Sequence, residues 1–175
     1  VDSVLAGLSQ FLQCQKMLWW KVHEPDAPEL AAAGDDVQTL LDRGNLIGAA
    51  ARAYVPGGVL IDLPPYKVQE RVAATAEAIA SRAPVIYEAS FLAGGVFVSV
   101  DILERKRSGF VLVEVKATLD VKEKHLPDVA IQLHVLRRAD VPVTRAEVMH
   151  LNRDCRHPDL SNLFVRKNVT RLAES

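Results

Sequence analysis

The stretch VIYEASFLAGGVFVSVDILERKRSGFVLVEVKA, from Val85 to Ala117, is dominated by β-branched, aromatic and aliphatic residues, and its two breaks carry glycine. Composition of that kind, punctuated in that way, predicts three strands joined by two turns. Gly94-Gly95 tolerates the positive φ values of a tight two-residue hairpin, and centring the hairpin there sets Glu88 opposite Asp101. The second turn reads as a polar, basic loop from Glu104 to Gly109, and centring on it pairs Asp101 with Leu112. Side chains alternate along a strand, so Glu114 and Lys116 fall on the face of Asp101. The other face is then wholly aliphatic: Val96, Val98, Val100 and Ile102 on one strand, Val111, Val113 and Val115 on the next. A shift of one residue would push Glu114 and Lys116 into that layer, at the cost of burying unpaired charge.

Glu88, Asp101, Glu114 and Lys116 therefore share one patch of sheet. Phe97, Leu103, Phe110 and Leu112 lie around them on the same face. Strands that are apolar on both sides indicate a sheet covered on both faces, and charges set in such strands mark a functional cleft. Three carboxylates repel one another, and Lys116 offsets one of them. The rest calls for a cation, raised pKa values or water. An all-oxygen donor set suits a hard ion such as magnesium or manganese.

The remaining order predicts an α/β domain. An amphipathic helix is expected over Ser9 to Val22, a Pro- and Ala-rich loop over His23 to Gly34, and a second helix from Asp35 to Tyr54. Val59 to Leu63 reads as a short strand stopped by Pro64-Pro65. A third helix, Val68 to Ser81, carries Val72, Ala76 and Ile79 at helical spacing. After the three strands, Pro127 opens a helix to about Arg138, where proline suits the first turn, and Val141 to Leu151 makes another strand. On the Pro127 helix Asp128 and Gln132 share one face, with Val129, Leu133 and Leu136 as the apolar stripe. Gln132 would there orient a water or a phosphate oxygen.

With 175 residues, 49% hydrophobic and 25% charged, the chain suits one domain over 1–175. It opens on Val1, which leads us to expect a module of a longer protein. No apolar stretch reaches membrane-spanning length and no signal-like segment opens the chain, which predicts a cytoplasmic protein with no membrane partner. Two distant cysteines, Cys14 and Cys155, agree with a reducing compartment. A net charge of −1 gives no global attraction for nucleic acid. Local basic clusters do exist, and Lys122, Lys124 and His125 weigh most, because they follow the Glu114–Lys116 strand where phosphates would approach. Trp19-Trp20 offers rings for stacking on bases or for anchoring the first helix. His150, Cys155 and His157 are mixed zinc-type ligands at irregular spacing, a weak signal.

Asp101 followed by Glu114-Val115-Lys116 resembles the D…ExK core of the PD-(D/E)XK nuclease superfamily. Glu88 before it and Gln132 after it narrow the resemblance to the RecB-like exonuclease branch, including CRISPR-associated RecB-like exonucleases and uncharacterised bacterial proteins with a RecB-like N-terminal module. Three further segments are similar to that branch: Leu8 to Trp20, Asp42 to Gly48, and the tail from Val148 to Asn152 and Leu163 to Thr170. The resemblance implies a restriction-endonuclease-like core, a mixed central sheet flanked by helices. It implies a magnesium- or manganese-dependent deoxyribonuclease, exonuclease-like, acting on single strands or duplex ends, with one or two ions. Asp101, Glu114 and the Val115 carbonyl would hold metal, with Glu88 binding directly or through water; Lys116 and Gln132 would serve the chemistry. Two positions depart from the pattern. Gly48 stands where many members place a metal-binding histidine, and Leu136 where others carry a tyrosine. They motivate the rival expectation of a nuclease-fold module that binds nucleic acid or scaffolds a larger protein without turnover. The four-cysteine iron–sulfur cluster of the CRISPR-associated members is impossible with Cys14 and Cys155 alone.

Overall fold

The structure is a computed structural model that describes residues 19–20, 23–27 and 34–174, the side chains of 34–38, 40 and 41 excepted. The helix expected over Ser9 to Val22 lies outside the described residues, Trp19 and Trp20 apart. A six-stranded mixed sheet forms the centre, with strands in chain order β1 to β6: Val59–Leu60, Val85–Ala93, Val96–Lys106, Gly109–Lys116, Val143–Leu151 and Phe164–Asn168. Pairs β1/β2 and β4/β5 are parallel; the other three are antiparallel. Helices supply the crossovers and cover: α1 Gly34–Tyr54, α2 Val68–Ala80, α3 Leu126–Arg138, and the single turn α4 Thr170–Ala173. The fold is α/β. Among the described residues no helix is long and apolar enough to cross a membrane.

Gly94 and Gly95, at φ +59° and +79°, make the two-residue turn between β2 and β3, which puts Ala89 opposite Val100 and Tyr87 opposite Ile102. The second turn differs from expectation. Ladder pairs run out to Lys106 and Gly109, so residues 107–108 alone make the turn, and Leu103 pairs with Leu112. Asp101 thus faces Glu114 rather than Leu112. The offset is two residues, an even number, so it changes partners but not faces. Gly109 tolerates this tight return because a Cβ there would lie 2.1 Å from the Pro142 carbonyl oxygen.

The uniform aliphatic face is a second point of difference. One apolar cluster joins Ile86, Ala89, Phe91, Val98, Val100, Leu103 and Leu112 to Val129, Leu133 and Leu136 of α3. The other joins Val85, Tyr87, Ile102, Val111, Val113 and Met149 to Ala51 of α1. Tyr87 and Ala89 have the same parity yet fall in different clusters, as do Val100 and Ile102. Alternation is broken at Glu88 and, across the ladder, at Asp101. The cause is Glu88, a non-glycine residue at φ +57°, a conformation that costs of order 1–3 kcal/mol and persists only when its surroundings enforce it.

The buried stripe of α2 is Arg71, Thr75 and Ala78 rather than Val72, Ala76 and Ile79. The helix is turned by one residue because it caps an edge. Beyond the short β1, the Ser90 amide of β2 donates to Thr75 Oγ1 at 2.9 Å instead of to a strand. Val72, Ala76 and Ile79 instead line a cleft of about 370 Å³ with Phe91 and Phe110. Strand β5 starts at Val143, two residues later than expected, since the Val141 amide closes the end of α3 on the Leu136 carbonyl and Pro142 has no N–H.

Candidate active site

Beyond Ile102 and Val113 the β3/β4 ladder opens. The Val115 amide donates to Asp101 Oδ2 at 2.6 Å, so a carboxylate fills the place of a backbone carbonyl between the two strands. Glu114, 8% exposed, points to α3, where Gln132 Nε2 donates to its Oε2 at 2.7 Å. Lys116 Nζ lies 2.8 Å from Glu114 Oε1 and 2.8 Å from Asp128 Oδ2. One helical turn separates Asp128 and Gln132, and together they grip both ends of the Glu114-Val115-Lys116 unit. Asp128 is a residue whose role the sequence did not disclose, although its shared face with Gln132 was legible.

Glu88 sits opposite Asp101 at the pleat break. Its carboxylate accepts from Ser99 Oγ at 3.3 Å and lies 3.7 Å from the Arg71 guanidinium. Arg71, 6% exposed, was missed by sequence reasoning. The signal available was its place at i, i+4, i+7 with Thr75 and Ala78, one residue before the expected stripe of Val72, Ala76 and Ile79.

Electrostatics follow from this crowding. Burial pushes the Asp101 carboxyl well above the usual range, Glu114 adds to the rise and Glu88 adds a smaller part, against the Val115 N–H and Lys116. Burial would lower the Lys116 pKa, but Glu114 and Asp128 outweigh it and hold the amine firmly protonated, above its ordinary value. Lys116 is therefore a fixed cation and no base.

Four carboxylates (Glu88, Asp101, Glu114 and Asp128) adjoin two cations, Arg71 and Lys116. With all ionised, two negative charges stay uncompensated, the charge of one divalent ion. The donors are hard oxygens, and Gln132 Oε1 is buried with no hydrogen-bond partner among the described residues. In kind and charge these residues fit magnesium or manganese. No ready-made cage of three or more His, Cys, Asp or Glu side chains exists among the described residues. Arg71 and Ser99 engage Glu88, while Lys116 and Gln132 engage Glu114.

Other expected positions behave differently from one another. Lys122 and Lys124 are exposed. His125, expected at the mouth facing phosphates, is turned inward at 4% exposure, and its Nδ1 accepts from the Lys122 amide at 3.2 Å. Burial lowers its pKa, and Lys116 lowers it further, so it caps the loop as a neutral ring. Gly48 lies on α1 with Arg52 as neighbour. His150 is buried beside Lys116 on β5, its Nδ1 3.0 Å from the Leu151 carbonyl, while Cys155 Sγ contacts the Asp159 carbonyl at 3.6 Å. The described residues hold no zinc-type cluster of these side chains.

Fold and site thus define an α/β protein with a carboxylate–lysine cluster where two strands part under a helix. No family model matches the chain, and no curated protein matches it. One solved structure, the crystal structure of SSO0001, is similar over 59% of this chain at 13% identity, with a TM-score of 0.30. The match spans about half of that protein, 54% of its chain, and at that level it bears on neither fold nor function.

Proposed function

We propose that this domain is a metal-dependent deoxyribonuclease with a restriction-endonuclease-like core, related in kind to RecB-like exonucleases. The observation that carries the reading is the parting of β3 and β4 around the Asp101–Val115 hydrogen bond, with Glu114 and Lys116 on either side of Val115 and both gripped by α3. Asp101, Glu114 and the Val115 carbonyl would hold the ion, with Glu88 as the fourth donor. A divalent ion held by these residues would supply polarisation of a phosphodiester and a lowered pKa for water. Lys116, held protonated, faces the charge that develops on the phosphate oxygens and stabilises it more than the ground state. Asp128 aims its ammonium, and Gln132 keeps the Glu114 carboxylate turned inward. Lys122 and Lys124, exposed next to the site, supply phosphate contacts for a single strand or a duplex end.

A second reading is a nuclease-fold module that binds nucleic acid or scaffolds a larger protein without cleaving. Two observations favour it: the engagement of Glu88 and Glu114 by internal cations, and a glycine at position 48. Cleavage of labelled single- and double-stranded DNA with magnesium or manganese separates the two. For the nuclease, Lys116→Ala lowers single-turnover cleavage by orders of magnitude while DNA affinity stays within a few-fold, because its interaction strengthens only as charge develops. Near-normal cleavage by that variant removes Lys116 from the chemistry. No cleavage by the intact protein under either metal favours the second reading.

A further inference from the structure

The Arg71 guanidinium is buried where a sheet edge meets α2, and nearly every donor of its fork is used. Nε donates to Ser90 Oγ at 3.0 Å, one terminal nitrogen donates to the Leu63 carbonyl, and the other donates to Ser99 Oγ at 3.0 Å and to the Glu88 carbonyl at 3.3 Å. Ser90 Oγ also donates to that same Glu88 carbonyl, at 3.0 Å. The backbone of Glu88 is thus fastened from two directions at the one point where it is left-handed. Its carboxylate is held more loosely. It lies 3.7 Å from Arg71, and its side chain is 36% exposed against 8% for the arginine. A rigid, buried holder carries a donor at the rim.

We propose that Arg71 is the positioning residue of this site: it fixes the left-handed turn at Glu88 beside Asp101 and so presents the Glu88 carboxylate as an oxygen donor to a divalent cation. The proposal rests on reading the cluster as a cation site. Burial of a permanent charge demands saturation of its donors, and here the acceptors that saturate it are the groups around Glu88. A lysine would keep the charge but could not bridge all of these acceptors from one planar fork. A fully formed ladder through residue 88 would restore alternation and send this carboxylate elsewhere.

Manganese titration of the whole chain by calorimetry, together with metal-free melting, tests this on wild type, Arg71→Lys, Glu88→Gln, their double variant and Ser99→Ala. Arg71→Lys and Glu88→Gln should each weaken manganese binding about 10–100-fold, the range for groups that orient or supply a ligand. The double variant should bind no more weakly than Glu88→Gln alone, because Arg71 acts through Glu88. Ser99→Ala should lose affinity in the same direction by a smaller factor, and it decides the matter if Arg71→Lys does not fold. Losses that multiply in the double variant, or wild-type affinity in Arg71→Lys, overturn the positioning role. Undiminished affinity in Ser99→Ala, where Glu88→Gln is weakened, does so too. A wild-type protein that binds no manganese instead overturns the cation site itself.

Discussion

Asp101 carries the sharpest conflict between folding and the proposed function. Its folded-state pKa is raised, by burial first and by Glu114 next, so its contribution favours folding below the unfolded carboxyl value and is lost as pH rises through the folded one. Wherever the group is ionised in the folded state, without metal, its charge works against the fold. Asp101→Asn keeps an acceptor for the Val115 amide and removes the charge. We expect this variant, free of metal, to melt higher than wild type at pH 7, by about 2–4 °C for each 1 kcal/mol of relieved repulsion in a chain of this size. The gap should close as pH falls toward about 4, where Asp101 takes up its proton in both states. Melting curves of both proteins across that range measure it, and a gap that widens on acidification would contradict the assignment. That three acids and a lysine gather near one point of the sheet was legible from the strand order and the hairpin centres, although alternation itself fails at Glu88 and Asp101. That Arg71 and Asp128 answer them was not, since each comes from a helix remote in sequence from its partner.

At the scale of elements, the pleat break in β2 and the ionic lattice over β3–β6 do different work. Glu88 at φ +57° makes a clean comparison possible: Glu88→Gly and Glu88→Ala remove the same carboxylate but differ in tolerance of that backbone. The glycine variant should be the more stable by about 1 kcal/mol in urea denaturation, since alanine pays for positive φ and glycine does not. Equal stabilities would mean that the strand relaxes once the side chain is gone. On the other face of the sheet, Arg166 of β6 bridges two buried acids, Glu104 of β3 at 2.6 Å and Glu147 of β5 at 2.5 Å. Burial would raise the Glu104 pKa, yet hydrogen bonds from Arg166 and Lys106 bring it below the ordinary value. Its stabilisation is thus present above the unfolded pKa and is lost as pH falls through the folded one. Arg166→Met should cost about 3 kcal/mol, the low end for a broken buried pair, because Lys106 and Arg145 still contact the two acids. Denaturant titration at pH 7 reads the loss, and the same titration at pH 4 should show a smaller one.

For the whole molecule, a cation site of the kind proposed would couple metal to folding. A divalent ion that binds only the native state, at a hundred times its dissociation constant, adds about 2.7 kcal/mol, which for this length raises the melting temperature by about 5–10 °C. Magnesium or manganese should produce that rise, and Asp101→Asn should abolish most of it. A wild-type melting temperature indifferent to both ions counts against a cation site. The net charge of −1 matters here too. If the domain binds DNA as proposed, attraction would have to come from local cations such as Lys122 and Lys124, so affinity should fall only shallowly with added salt.

Periodicity alone delivered the α/β order, the Gly94-Gly95 turn, the stripe of α3 and the shared face of Glu114 and Lys116. These are repeats of two or of 3.6 residues, and an even error in the second turn left them intact. Contacts across the fold decided what periodicity cannot carry. Asp101 faces Glu114 because the true turn is two residues long, a choice made where Gly109 packs on Pro142. The two strands exchange faces at Glu88 and Asp101 because a buried arginine on α2 bonds to the Glu88 carbonyl. Long-range hydrogen bonds and buried charges answer to three-dimensional neighbours. No local repeat in the chain records who those neighbours are.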